Sequence, residues 1–277
     1  MNGIDFNLEE ARQMLGENKE EYVIELIITV PEITIIDLGE RAFPHVLSSF
    51  TTRYDASNRP RTNNLELSAR RVNDVVIMPG EVFSFNQIVG RRTVAAGFME
   101  APGFAGGRVV QMLGGGICQV TSTIYNAALY ADLEIVERRP HMFITSYAGA
   151  GRDATVVYGA IDFQFRNTRN FPIILRSFAS NGVNRAEIHG MREEVEHEIE
   201  ITSTILNQIS WRTIYTTNNH LAPGTQRTMQ GGGMGANSVT YRIRRLYGVE
   251  VSRELLSRDQ YDPMNRIVEV GPQLLQE

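Results

Sequence analysis

Residues 114–134 read GGGICQVTSTIYNAALYADLE and contain Cys118, the single cysteine of the chain. Three glycines lead into it. Beyond it Ile124, Ala127, Ala128 and Ala131 recur at the spacing that gives a helix one buried side. If the helix starts near Cys118, the unpaired N–H groups of its first turn point toward the thiol. The positive end of the helix dipole then favours thiolate over thiol. Gly114, Gly115 and Gly116 have no side chains, so a substrate carbonyl can approach, and free N–H groups there would make an oxyanion hole. The other reading of Cys118 is a small buried residue, the commoner fate of a free cysteine.

A nucleophilic thiol needs a base and the base needs an orienter. His141, in ERRPHMFITSY, follows Pro140, and a strand starting there would run back beside the helix to its N-terminus. His45, in FPHVLSSF, is the second candidate. Asp153, after the glycine-rich turn AGAG, is the candidate orienter, with Asp162 the weaker choice; turn capping is the competing role for Asp153. Arg152 or Arg139 would pair with a substrate carboxylate. Gly115, Gly116, Gln119, Ser122, Arg152 and Tyr147 form the candidate substrate and oxyanion contacts.

Outward from the helix, the pattern is mixed. NLELSARRVND predicts a helix capped by Asn63 with Glu66 three residues on. VVIMPGEVFSF predicts a strand, a Pro79-Gly80 turn and a strand. DATVVYGAIDFQFRN and FPIILRSFAS alternate like strands. From about residue 199 the segments EIEITSTI, SVTYRIRRL and VEVSRELLS are β-rich, with Tyr247-Gly248 as a hairpin turn. APGTQRTMQGGGMGAN suits a flexible loop and lacks the lysine of a phosphate-binding loop. At the N-terminus, NLEEARQMLG predicts a helix capped by Asn7, and EYVIELIITV a strand through Tyr22, Ile24, Leu26 and Ile28. The fold class expected is α+β: residues 39–192 form a domain with a central helix packed on antiparallel strands. An extended all-β domain follows at 193–277, and 1–38 is a partial N-terminal segment.

The bulk numbers exclude several functions. The chain has 277 residues, 42% of them hydrophobic, and a formal net charge of −5. That is a globular composition without the basic surface that nucleic acid requires. One cysteine excludes an intramolecular disulfide. No CxxC, HExxH or paired histidines ask for a metal, and no cofactor motif is present. No uncharged apolar run reaches the roughly 18 residues of a membrane span.

The ordered series NLELSARRVNDVVIMPGEVFSFNQIVGRRT, GGGICQVTSTIYNAAL, EIVERRPHMFITSYAGAGRDATVVYG and DFQFRNTRNFPIIL resembles the VanW family of bacterial envelope proteins. The first 38 residues are similar to the tail of a peptidoglycan-binding domain. Residues 199–272, ending NRIVEVGP, resemble a G-five domain. The resemblance implies an exported protein at the cell wall, held by an N-terminal membrane segment outside this sequence. It also implies peptidoglycan stem peptides and glycan as partners. For the reaction it implies L,D-transpeptidation through Cys118, with carbapenem-type inhibitors as acylating agents. A cell-wall cysteine peptidase and a non-catalytic accessory protein of glycopeptide resistance are the alternatives. Familiar L,D-transpeptidases carry an SxGC-type pattern with a following arginine. GGGICQ departs from it, so their other catalytic residues do not transfer.

Overall fold

The computed structural model describes residues 3–16, 22–24, 26–29 and 42–272. They fall into two compact units, Met1–Ala42 and Phe43–Glu277. In the first, β1 (Gly3–Phe6) pairs antiparallel with β2 (Leu26–Thr29) across α1 (Leu8–Leu15) in the chain order. Asn7 caps α1, its side-chain oxygen accepting from the Glu9 N–H at 3.2 Å. The strand expected from Tyr22 is shorter, beginning at Leu26, and β1 had no signal in the alternation.

The second unit is built round one helix. α2 (Arg59–Val72) starts four residues before the expected Asn63, because Asn58 caps it and Pro60 occupies its first turn. Asn63 lies inside the helix and donates to the Gly97 carbonyl instead. β4 (Val75–Ile77) and β5 (Val82–Ser84) flank the Pro79-Gly80 turn but do not pair with each other. β4 joins a four-stranded antiparallel sheet, in the order β3 (His45–Arg53), β11 (Val183–Gly190), β10 (Ile173–Ser180), β4. β5 leads into the short α3 (Phe85–Val89) and pairs with β9 (Gln164–Arg166), which also pairs with β8 (Glu134–Glu137). β6 (Glu100–Ala105) and β7 (Arg108–Leu113) form a hairpin that leads into α4 (Ile117–Tyr130).

α4 is buried on all sides rather than along one stripe: Val120, Ile124, Tyr125, Ala127, Ala128 and Leu129 are buried, and so are Gln119, Thr121, Ser122, Thr123 and Asn126. Buried polar groups demand partners. Thr52 and Thr123 share a hydrogen bond at 2.9 Å, Asn184 donates to Thr123 at 2.7 Å, and Ser48 donates to the Ala127 carbonyl at 2.7 Å. These bonds tie the helix to β3 and β11. The apolar remainder joins Leu65, Ala69, Phe83, Phe163 and Phe165 in one core.

The alternating stretch after residue 153 is largely irregular, with an isolated Val157–Ile161 bridge before β9. Its apolar side chains face inward singly, since Ala154 and Val156 pack into the core without a strand partner. The C-terminal part is all-β. β12 (Glu198–Ile209), β15 (Gly235–Leu246) and β16 (Val249–Tyr261) form one antiparallel sheet. β13 (Thr213–Thr217), β17 (Arg266–Val270) and β14 (Gln226–Gln230) form another, so the expected loop at 222–237 contains a strand and the start of β15. Tyr247 and Gly248, with φ of 51° and 77°, turn the β15–β16 hairpin. Among the described residues no helix is long and apolar enough to cross a membrane.

Candidate active site

The β6–β7 hairpin hands the chain to α4 through Gly114–Gly116, and the reason for glycine is packing. A Cβ on Gly115 would sit 2.2 Å from the Ala101 carbonyl oxygen, and one on Gly116 would meet Leu65 and Arg61 at 2.7 and 2.8 Å. Gly116 also has φ of 101°, in the left-handed region. The space these glycines leave is therefore filled by protein. Gly116 begins α4 with no side-chain cap. The N–H groups of Gly115 and Gln119 are bonded to the Met112 and Gly116 carbonyls, at 3.0 and 2.9 Å. Among the described residues those of Gly116 and Cys118 have no such backbone partner.

Cys118 is partly exposed in the first turn, its Sγ 3.8 Å from the Val156 carbonyl oxygen. The His141 ring lies beside this sulfur, close enough that each shifts the other's titration. No strand carries it there: residues 138–156 form a loop that wraps the start of α4. Its other ring nitrogen, Nδ1, is 2.6 Å from Asp153 Oδ2, and the same oxygen accepts the His141 backbone N–H at 2.6 Å. That double grip fixes the ring and assigns the Nδ1 proton, leaving Nε2 toward the sulfur. Cys118, His141 and Asp153 thus form one chain of contacts; His45 lies exposed at the start of β3, far from such a role.

The charges reinforce one another. Burial pushes the Cys118 thiol up, but the hydrogen bond and charge of His141, a backbone bond from Val156 and the charge of Arg92 hold it below the usual thiol value. Burial lowers His141; its bonds to Asp153 and Cys118 outweigh this and raise it to about 9. Burial likewise raises Asp153, and His141, Arg138 and Tyr261 bring it below the usual carboxylate range. All three shifts run toward the charged forms, thiolate, imidazolium and carboxylate in a row.

The other expected site residues divide. Tyr147 stands edge-on to the His141 ring, centroids 6.4 Å apart. Ser122 donates to the Cys118 carbonyl at 2.7 Å and accepts the Ala154 N–H at 2.9 Å, stapling the loop to the helix. Gln119 is spent on structure: its amide donates to Thr52 and the Arg53 carbonyl and accepts from Arg61 at 2.6 Å. Arg152 is held by Asn126 at 2.5 Å and Tyr130 at 3.1 Å, with its guanidinium over the Phe50 and Tyr130 rings. Asp162 caps α3, accepting from Ser84 and the Asn86 N–H.

Sequence reading missed Arg92, Arg138, Asp259 and Tyr261. The Arg92 stem lies across Gly114, and its Nε and Nη2 are buried with no hydrogen-bond partner. Arg138 donates to Asp153 Oδ1 at 3.0 Å and to both oxygens of Asp259, and the Tyr261 hydroxyl donates to Asp153 Oδ1 at 2.6 Å. Among the described residues no group of three His, Cys, Asp or Glu is placed to hold a metal ion.

This helix-centred domain with its β-rich extension matches two family models, VanW like protein over residues 60–189 and G5 domain over residues 200–273. The chain carries a VanW-like domain followed by a G5 domain. It is 41% identical over 155 residues to the uncharacterized protein YoaR of Bacillus subtilis (strain 168), covering 54% of this chain and 51% of that protein. It is 29% identical over 143 residues to the vancomycin B-type resistance protein VanW of Enterococcus faecalis (strain ATCC 700802 / V583), covering 47% and 52%. The chain spans about half the length of these curated relatives. Among solved structures it is similar to an IgA1 protease G5 domain, 32% identical over 30% of this chain and 96% of that one, with a TM-score of 0.22.

Proposed function

We propose that the chain is a cysteine-dependent L,D-transpeptidase of the bacterial cell wall, working on the outer side of the envelope. The observation that carries this reading is the contact chain from Cys118 through His141 to Asp153 at the uncapped start of α4. The Cys118 thiolate attacks the carbonyl of the L-centre that precedes a terminal D-residue in a donor tetrapeptide. The Gly116 and Cys118 N–H groups stabilise the oxyanion. The C–N bond breaks, His141 gives its proton to the departing D-amino acid, and a thioester remains. An amine of an acceptor stem then attacks the thioester while His141 takes its proton, which forms the cross-link and frees the sulfur. Arg92 supplies the cation for the donor's terminal carboxylate. Relatedness to a vancomycin-resistance protein favours a wall peptide as substrate.

The test is to incubate the protein with disaccharide tetrapeptide and resolve the products by mass. A dimer lacking one D-alanine is the expected product. Tripeptide alone would make the protein a cysteine peptidase with water as acceptor. The absence of turnover would leave a non-catalytic wall protein.

A further inference from the structure

The carboxylate that orients His141 is itself held from the G5 domain. Asp153 is completely buried, as is Tyr261 at the end of β16. The Tyr261 hydroxyl bridges two points of the site loop, donating to Asp153 Oδ1 at 2.6 Å and accepting the Gly151 N–H at 2.7 Å. Two residues earlier on the same strand, Asp259 takes both Arg138 Nη1 contacts at 2.6 and 2.7 Å. Arg138 then reaches Asp153 twice, through Nη2 to the carboxylate and through Nε to its backbone carbonyl at 2.6 Å. Ser257 on β16 holds the remaining side of Asp259 at 2.9 Å.

An adhesive contact between two domains does not call for this arrangement. Burying a guanidinium between two carboxylates costs desolvation that a packed apolar seam avoids. The side chains of Arg138 and Asp259 are each only 5% exposed. The two links that reach the Asp153 carboxylate, from Tyr261 and Arg138, both fall on Oδ1 and leave Oδ2 to His141. We propose that Asp259 and Tyr261 are positioning residues for Cys118, His141 and Asp153, so that the G5 domain completes the active centre of the VanW-like domain. This rests on the acyl-transfer reading above. The ionisable groups around the pair are Arg61 from α2, Arg92, Tyr147 and Asp153, with Arg138, Asp259 and Tyr261 behind.

The test needs no wall substrate. The rate of Cys118 alkylation by iodoacetamide is followed against pH, alongside the titration of the His141 ring by NMR. It is run on the wild type, Asp259→Asn, Tyr261→Phe and the control Val251→Ala, an exposed position of β16. Asp259→Asn removes a negative charge from the row, so His141 is expected to titrate lower. Alkylation at pH 7 is expected to fall about tenfold or more in both variants, its inflection moving toward the ~8.5 of a free thiol. Val251→Ala retains the wild-type profile. If Asp259→Asn does not fold, Tyr261→Phe, which removes one oxygen, carries the test. Reactive wild-type Cys118 with superimposable variant profiles overturns the positioning role alone. A wild-type Cys118 that alkylates like a free thiol overturns both this and the acyl-transfer reading.

Discussion

The VanW-like and G5 parts of the second unit bury themselves in opposite ways. The first wraps sheets and loops round a helix with no exposed face, and its core runs continuously from Leu65 to Ile188. The second is thin. β13 and β14 are almost wholly exposed, and much of the burial in its larger sheet is at Ala236, Val239, Thr240, Arg242, Ile243, Asp259 and Tyr261. Several of those residues touch the other part: Arg242 donates to the Leu133 carbonyl, and Tyr261 and Asp259 reach Asp153 and Arg138. The difference teaches that the G5 sheet is anchored where it meets the site loop and is solvated elsewhere. A change at the junction and the same change at the free hairpin should therefore separate widely.

The largest effect is expected within the VanW-like part itself. Cys118→Ala should abolish cross-linking, by more than about a thousandfold, with thermal stability nearly unchanged, since one small side chain at the edge of the core is shortened by a single atom. A large drop in melting temperature would return Cys118 to the role of core filler. Next comes the comparison of glycines. Gly151 has φ of 75°, and a Cβ there would lie 2.0 Å from Thr240 Oγ1 and 2.6 Å from Ser203 Oγ. Gly151→Ala should cost about 2–4 kcal/mol and lower Cys118 reactivity, because strain and overpacking add. Gly248 has φ of 77° with open space around it, so Gly248→Ala should cost only about 1 kcal/mol and spare the thiol. Equal losses in denaturant unfolding would break the contrast.

Arg92→Gln should raise the donor KM about tenfold with a smaller change in kcat, as expected when a ground-state carboxylate contact is lost. A fall in kcat alone would assign Arg92 to the thiolate instead. The smallest effect concerns pH. His141 is raised to about 9, so its contribution to stability is complete below its unfolded value near 6.5 and is lost as pH climbs to 9. Cys118 is depressed, so its contribution is present above the unfolded value near 8.5 and is lost as pH falls through the folded one. The two slopes oppose each other. Cys118→Ala should make the melting temperature fall more steeply with rising pH between about 6.5 and 8.5 than in the wild type, a slope that His141→Gln removes.

What was legible in the sequence follows the range of the interactions. Helix α4, its glycine entry and the hairpin at Tyr247-Gly248 are local signals and were readable. Cys118, His141 and Asp153 lie within 36 residues and stood out by residue type, and they meet in the structure. The strand expected after His141 did not form: the loop's backbone finds partners in Asp153, Ser122 and Asn126 side chains instead. Gln119, Ser122 and Arg152 have the right chemistry for substrate contacts, but burial commits them to the scaffold. The links from Arg138 to Asp259 and from Asp153 to Tyr261 join residues 121 and 108 positions apart. No local pattern marks such a partner, and the composition of β16 marked it only as strand.

The polar interior of α4 has a further consequence. Gln119, Ser122, Thr123 and Asn126 are each keyed to a particular acceptor or donor on β3, β11 or the site loop. A greasy helix can slide or roll and repack, but one residue of screw motion turns this one by about 100° and would strip all four keys at once. The helix is indexed like a toothed shaft, and the sulfur at its tip inherits that angular precision.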